Sequence, residues 1–209
     1  MKANNIISSI YWLGGSTCAG KTTISNILSE KYGLKVYHCD EHLGKHIEKS
    51  NAQEHPNLNR VTKTSWDDIL SMPVEEYLKW AIGLFKEEYE MILLDIHKLY
   101  DEKPILVEGT GLLPEFFIKE AFDNSHAIWL VADKGFYRKH QSQRREMFEK
   151  IKHCSHPESA LKNYMSFDLA MGKYILNDVK RLGWSVIEVG NENDIIKNAE
   201  AVSSHFKLV

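Results

Sequence analysis

The chain alternates short apolar runs with longer stretches in which apolar residues recur every three or four positions. Residues 6–13 (IISSIYWL) form an apolar run of strand length that ends at Gly14 and Gly15. Residues 22–32 then carry Ile24, Ile27 and Leu28 at helical spacing, and Gly33 supplies the stop. A second short run, residues 34–39, predicts a strand closed by Asp40. Residues 41–65 are polar, rich in His, Asn and Lys, and show no firm period. From Ser71 the helical pattern is strong. Ser71 is the expected N-cap, Pro73 falls in the first turn, and Glu75 and Glu76 suit the positive end of the helix dipole. Val74, Tyr77, Leu78, Ala81, Leu84, Phe85, Tyr89, Ile92, Ile96 and Leu99 mark one face, which reads as core. Residues 105–107 predict a third strand ending at Glu108, residues 114–122 a short helix, and residues 127–132 a fourth strand. After a basic segment, a long helix from Pro157 to Gly183 and a strand over residues 185–189 precede Gly190, Asn191 and a terminal helix.

Strands separated by helices, and never by hairpin turns, imply parallel pairing through right-handed crossovers. The fold class is therefore α/β: a three-layer α/β/α sandwich around a five-stranded parallel sheet. A length of 209 residues suits one domain. With 43% apolar and 26% charged residues the chain has material for a core, and disorder is not expected. A net charge of −3 argues against coating nucleic acid or a membrane surface. The mean hydropathy of −0.37, with no apolar run near 18 residues, argues against a membrane-spanning helix. The first residues lack the apolar core and cleavage site of a signal peptide. Three scattered cysteines, Cys18, Cys39 and Cys154, do not make a disulfide framework, so reduced thiols and a cytoplasmic location are expected.

The sharpest chemical signal is Gly15-Ser16-Thr17-Cys18-Ala19-Gly20-Lys21-Thr22, followed by Thr23, which fits G-x-x-x-x-G-K-[ST]. Gly15 and Gly20 let the backbone turn successive N–H groups inward onto phosphate oxygens. Lys21 places an ammonium between the β- and γ-phosphates, and the Thr22 hydroxyl is a ligand for Mg²⁺. The motif follows a predicted strand and opens a predicted helix, whose dipole also faces the anion. These residues point to ATP and Mg²⁺ as the cofactors.

On this motif the chain resembles the P-loop kinases of small molecules, a group that includes adenylate, shikimate, gluconate and chloramphenicol kinases. The resemblance implies a strand order of 2-3-1-4-5 and a single domain over residues 1–209. Within it, residues of about 41–100 would form a helical substrate-binding insert and about 134–156 a lid. Shikimate and gluconate kinases carry an acidic residue where Asp40 stands, facing the phosphoryl acceptor. Independently, ligands of such sheets bind beyond the carboxyl ends of the strands, where a carboxylate orients a hydroxyl and takes its proton. Glu41 is the neighbouring competitor. Several P-loop kinases also place an acidic residue at the position of Glu108 to hold a Mg²⁺-bound water. Glu108-Gly109 is similar to uridine kinase-like enzymes. It departs from nucleoside monophosphate kinases, which follow Asp-Gly with an aromatic residue, Pro and Arg, where this chain has Thr110-Gly111-Leu112-Leu113.

Residues 134–152 hold seven Lys and Arg against two Glu and sit where these kinases carry a lid. Arg138, Arg144 and Arg145 are the candidates to stabilise the transferred charge, and a seven-residue spacing puts Arg138 and Arg145 on one helical face. Asn191 lies where such kinases pack the adenine base. Ten histidines include a group at His38, His42 and His46 and another at His153 and His156 around Cys154. On a helix, His42 and His46 would share a face, but no full ligand set with zinc spacing is present. Asp168, within the long apolar helix, reads either as a cap or as a residue lining the cleft.

The leading expectation is an ATP- and Mg²⁺-dependent kinase acting on a hydroxyl of a small metabolite, as a monomer or homodimer. A nucleoside or nucleotide kinase is the nearest alternative. A regulatory nucleotide switch is the rival from another class, but the guanine-reading N/T-K-x-D pattern does not follow the fourth strand. The L-S-G-G-Q signature of transport ATPases is also absent.

Overall fold

The structure is a computed structural model and describes residues 9–101, 103–118, 124–192 and 194–208. Five parallel strands form the sheet: β1 (Ile10–Gly15), β2 (Lys35–His38), β3 (Ile105–Glu108), β4 (Ala127–Ala132) and β5 (Ser185–Val189). Their order is β2-β3-β1-β4-β5, as expected. Register places Leu13 of β1 and His38 of β2 on either side of Glu108, and Gly15 beside Leu130. Two expectations extend beyond the described residues: the first strand over residues 6–8 and the short helix over 119–122. The part of that short helix that is described, Pro114–Ile118, is a 3₁₀ turn.

Strand side chains alternate between two cores, as the period of two requires. Ile10, Trp12, Ile105, Val107, Ala127, Trp129 and Val131 face one layer. Leu13, Leu106, Ile128 and Leu130 face the other. The second layer is thin. It consists of α1 (Lys21–Tyr32), ended by Gly33 with its N–H bonded to Ser29 O, and α9 (Ile195–His205), which packs on it. The first layer is thick and holds α2 (Cys39–Lys49), α3 (Pro56–Val61), α4 (Trp66–Ser71), α5 (Val74–Leu99), α7 (Arg145–Lys152) and α8 (Pro157–Leu182). Edge-to-face contacts of Phe117 with Trp12 and Trp129, at 5.2 and 5.5 Å, fill the space under the sheet. No helix among the described residues is long and apolar enough to cross a membrane.

The structure corrects four local expectations. The second strand stops at His38, and Cys39 and Asp40 already belong to α2, whose first turn Asp40 and Glu41 occupy. Much of the aperiodic stretch over residues 41–65 is thus helical, because α2 and α3 lie at the surface and bury only a few side chains, Cys39, His46 and Leu58, which leaves little periodic signal. Ser71 is not an N-cap. It ends α4, whose true cap is Ser65 in a capping box with Asp68, while Pro73 precedes α5. The apolar stripe of α5 is buried through Ile96, but Leu99 is 48% exposed at the helix end. Arg138 and Arg145 do not share a helix: α6 (Lys134–His140) stops, a 3₁₀ turn over Gln141–Gln143 intervenes, and α7 starts at Arg145.

Candidate functional site

The loop between β1 and α1 is a backbone cradle. Gly15 has φ +133°, and a Cβ there would lie 1.9 Å from Leu130 O, so only glycine fits between the loop and β4. Cys18 and Gly20 also take positive φ, 64° and 87°. Gly20 is the N-cap of α1 and provides no side-chain acceptor, which leaves the first N–H groups of the helix for a ligand. Ser16 and Thr17 are buried and tie the loop down. Ser16 N donates to Leu130 O at 2.8 Å, and Ser16 Oγ accepts from Ala132 N at 2.8 Å. Gly15, Ser16 and Thr17 thus form the base of the loop. Cys18, Ala19, Gly20, Lys21, Thr22 and Thr23 line a cavity of about 580 Å³ above it.

Lys21 is 8% exposed, and its Nζ donates to Ser16 O at 2.9 Å and to Thr110 Oγ1 at 3.1 Å. Burial pulls its ammonium below the ordinary lysine value, although the charges of Glu108 and Asp40 oppose that shift. Thr22 Oγ1 donates to Glu108 Oε1 at 3.0 Å, and His38 Nδ1 donates to the same oxygen at 2.8 Å. Glu108 is 6% exposed and would be costly to bury without these partners. A hydroxyl and a carboxylate side by side on the wall of this cavity are hard oxygen donors. That set fits Mg²⁺, which takes few protein ligands and keeps waters and substrate phosphates for the rest. No group of three or more His, Cys, Asp or Glu side chains placed for a metal ion occurs among the described residues.

Asp40 and Arg144 complete the cavity wall. Arg144 is half-buried at the turn before α7. Burial works against its charge, but Tyr164, Asp168 and Asp40 outweigh it and hold its pKa above the ordinary value. Arg138 and Arg145 are exposed and do not line the cavity, and Asn191 is an exposed turn residue outside the lining. Of the sequence-selected residues, the structure therefore gathers Lys21, Thr22, Glu108, Asp40 and Arg144 around one space.

Several further residues were not singled out for this site by the sequence. Thr110, two positions after Glu108, holds Lys21 in place. His38 stood only in a histidine group, and its register opposite Glu108 is visible only once β2 and β3 pair. Phe136, His140 and Ile195 line the same cavity, with the Phe136 and His140 rings stacked at 4.0 Å. Asp168, left open above, is a clamp. It is 6% exposed and accepts from Thr17 Oγ1 at 3.1 Å and from Tyr137 OH at 2.9 Å. It thereby joins α8 to the loop and to α6. Burial raises its pKa against these two hydrogen bonds and the nearby charge of Arg144.

No protein-family model matches the chain, and no curated protein sequence does. Solved structures do match. A deoxyadenosine kinase from M. mycoides with bound dATP aligns at a TM-score of 0.50 and 15% identity, over 95% of this chain and 99% of that one. A shikimate kinase from Acinetobacter baumannii in complex with shikimate aligns at 0.44 and 17% identity, over 93% and 90%. The protein TT1252 from Thermus thermophilus aligns at 0.49 and 14% identity, over 93% and 96%. With its 2-3-1-4-5 sheet and its loop between β1 and α1, the chain has the P-loop kinase fold.

Proposed function

We propose that this chain is an ATP- and Mg²⁺-dependent kinase that transfers the γ-phosphoryl group to a hydroxyl of a small molecule. One observation carries the reading: Lys21, Thr22, Glu108 and Asp40 converge on one cavity at the carboxyl ends of the strands. The loop N–H groups and Lys21 bind the phosphates, and Phe136, His140 and Ile195 pack the base. Asp40 orients the acceptor. The acceptor oxygen forms a new bond to the γ-phosphorus, the bond from that phosphorus to the β-phosphate oxygen breaks to leave ADP, and the hydroxyl proton passes to the Asp40 carboxylate. Arg144 balances the charge that spreads over the transferred group. Mg²⁺, when held by Thr22 and Glu108 directly or through water, supplies charge neutralisation at the phosphate oxygens.

The test is transfer of label from γ-labelled ATP to a panel of cell metabolites with Mg²⁺, beside a Lys21→Ala variant. The expected result is a labelled product that disappears in the variant. Slow phosphate release that no metabolite alters would favour a regulatory switch. Tight nucleotide binding without any turnover would sink the mechanism, beginning with the role of Asp40.

A further inference from the structure

A second cavity, of about 380 Å³, opens beside the first, and Asp40 lines both. Its volume falls in the range of small-molecule sites, roughly 300–1,000 Å³. The walls come from α2, α3, α4, α5, α7 and α8. Leu43, Ile47, Trp66, Trp80, Leu84 and Phe167 line the cavity. Trp80, Leu84 and Phe167 are between 6 and 8% exposed. Tyr77 stacks on Phe167 at 3.8 Å with an interplanar angle of 14°, so the aromatic wall is fixed by ring packing between the two longest helices.

Polar groups are scarce. Among the described residues the lining contains no Arg, His, Asn, Gln, Ser or Thr. The Trp80 indole N–H is already donated to Asn57 O at 3.1 Å. Lys150 lies on the rim, exposed, with its ammonium 4.6 Å from the centre of the Trp66 ring. Burial raises the pKa of the Tyr77 phenol, so that group stays neutral. Asp40 is the acidic group among the described lining residues, at the junction with the phosphate-loop cavity. A nucleobase would lose water from its hydrogen-bonding edge here and find few partners. A polyol would leave most of its hydroxyls unpaired, and an anionic acceptor would meet Asp40, with Lys150 on the rim and with Lys21 and Arg144 lining the phosphate-loop cavity rather than this one.

We infer that the acceptor is an uncharged, predominantly apolar compound, ring-bearing and with one reactive hydroxyl, whose body fills this aromatic cavity while the hydroxyl meets Asp40. The inference rests on the kinase reading for the fate of the hydroxyl, but not for the binding itself.

Trp66 and Trp80 in the walls give a direct binding signal. The probes are 2-(2-naphthyl)ethanol, its anionic relative 2-naphthylacetate, uridine, deoxyadenosine and gluconate, each titrated against the full chain by tryptophan fluorescence. Nucleotide binding is followed separately with ATP and Mg²⁺. The blocking variant is Gly44→Leu. Gly44 lines the cavity from α2, and a Cβ there meets nothing within 4 Å, so the larger side chain fills the cavity and suits the helix. Its folding is checked by melting temperature.

The naphthyl alcohol is expected to bind at least about tenfold tighter than the other four probes, the factor that one to two buried methylenes supply. Gly44→Leu should abolish that preference while ATP affinity and melting temperature hold. Tighter binding of uridine, deoxyadenosine, gluconate or the carboxylate, or no binding of the alcohol by a folded chain that binds ATP, overturns the inference and leaves the kinase reading standing. Alcohol bound and blocked by Gly44→Leu, but never phosphorylated, supports the binding part of the inference, an apolar ring-bearing ligand in this cavity, and overturns its acceptor part together with the kinase reading.

Discussion

The two cavities that meet at Asp40 are built on opposite principles. The phosphate side is a backbone site: a loop of contiguous residues bends at Gly15, Cys18 and Gly20 and presents N–H groups, with Lys21, Thr22 and Glu108 adding fixed charge and oxygen donors. The adjoining side is a side-chain site, walled by Leu43, Trp66, Trp80, Leu84 and Phe167 from helices far apart in sequence. A polar, preorganised cradle serves a ligand whose charge is constant, whereas an apolar cavity discriminates by shape and by what it refuses to hydrogen-bond. On the proposed function, the difference makes chemistry and selectivity separable. Changes on the phosphate side should alter turnover, and changes on the aromatic side should alter which molecule enters.

Asp40 is the hinge of that comparison and carries the largest expected effect. Asp40→Asn keeps an oxygen for the hydroxyl but cannot take its proton. With the acceptor that the label-transfer test identifies, kcat should fall by roughly 10²–10⁴ while the acceptor KM changes little. Steady-state kinetics with both substrates varied decide it. A large rise in acceptor KM with kcat intact would make Asp40 a binding residue only.

Arg144 comes next. Its half-buried place on the cavity wall predicts a kcat loss of roughly 10²–10³ for Arg144→Ala, on the scale of one lost transition-state donor. Arg138→Ala and Arg145→Ala, which remove exposed charges outside the wall, should stay within about threefold because solvent screens them. Equal losses for all three would mean that the basic segment acts as a diffuse field, and the localisation of charge on the phosphate side would fail.

The same contrast explains what could be read from the sequence. The sheet, its parallel pairing and the loop are local patterns: strand-length apolar runs, helical periods and eight residues in a row. Asp40 could be placed at the cavity from its position after β2, although the chain is already helical there. The aromatic cavity was hidden, because Tyr77, Trp80, Leu84 and Phe85 obey the period of an ordinary core face. Period shows which residues point the same way and not whether anything fills the space opposite. Arg144 could not be separated from Arg138 and Arg145, since the break at Gln141–Gln143 has no Pro or Gly to announce it. His38 and Asp168 were equally out of reach, as their partners Glu108 and Thr17 lie 70 and 151 residues away.

The smallest expected effect sharpens the comparison from beneath the aromatic side. His46 on α2 is 1% exposed and sits between two carboxylates of α5, with Nδ1 3.3 Å from Glu88 Oε1 and Nε2 3.1 Å from Asp95 Oδ2. This pair of contacts fastens α2, which carries Asp40 and Leu43, onto α5. Burial alone would lower the His46 pKa, but the two hydrogen bonds and charges outweigh it and raise the value above its ordinary 6.5. Its stabilising contribution is therefore complete below pH 6.5 and is lost as pH climbs through the raised folded value. Burial would raise Asp95, but His46, Lys49 and Lys98 bring it below its ordinary 3.8, so its share is present above that pH and fades only in stronger acid. Burial raises Glu88, so its ionisation in the fold is a cost that sets in as pH rises through its ordinary 4.5 toward the raised folded value. Relative to His46→Gln, which cannot charge, the native chain should be more stable by about 1.5–3 kcal/mol near pH 5.5, the worth of hydrogen bonds to charged groups. In melting temperature that is roughly 3–10 °C. The gap should narrow steadily toward pH 8.5, with the acceptor KM rising over the same range and the ATP KM flat. A gap that holds or widens with pH would mean that His46 is neutral in the fold, and that α2 is held to α5 by packing alone.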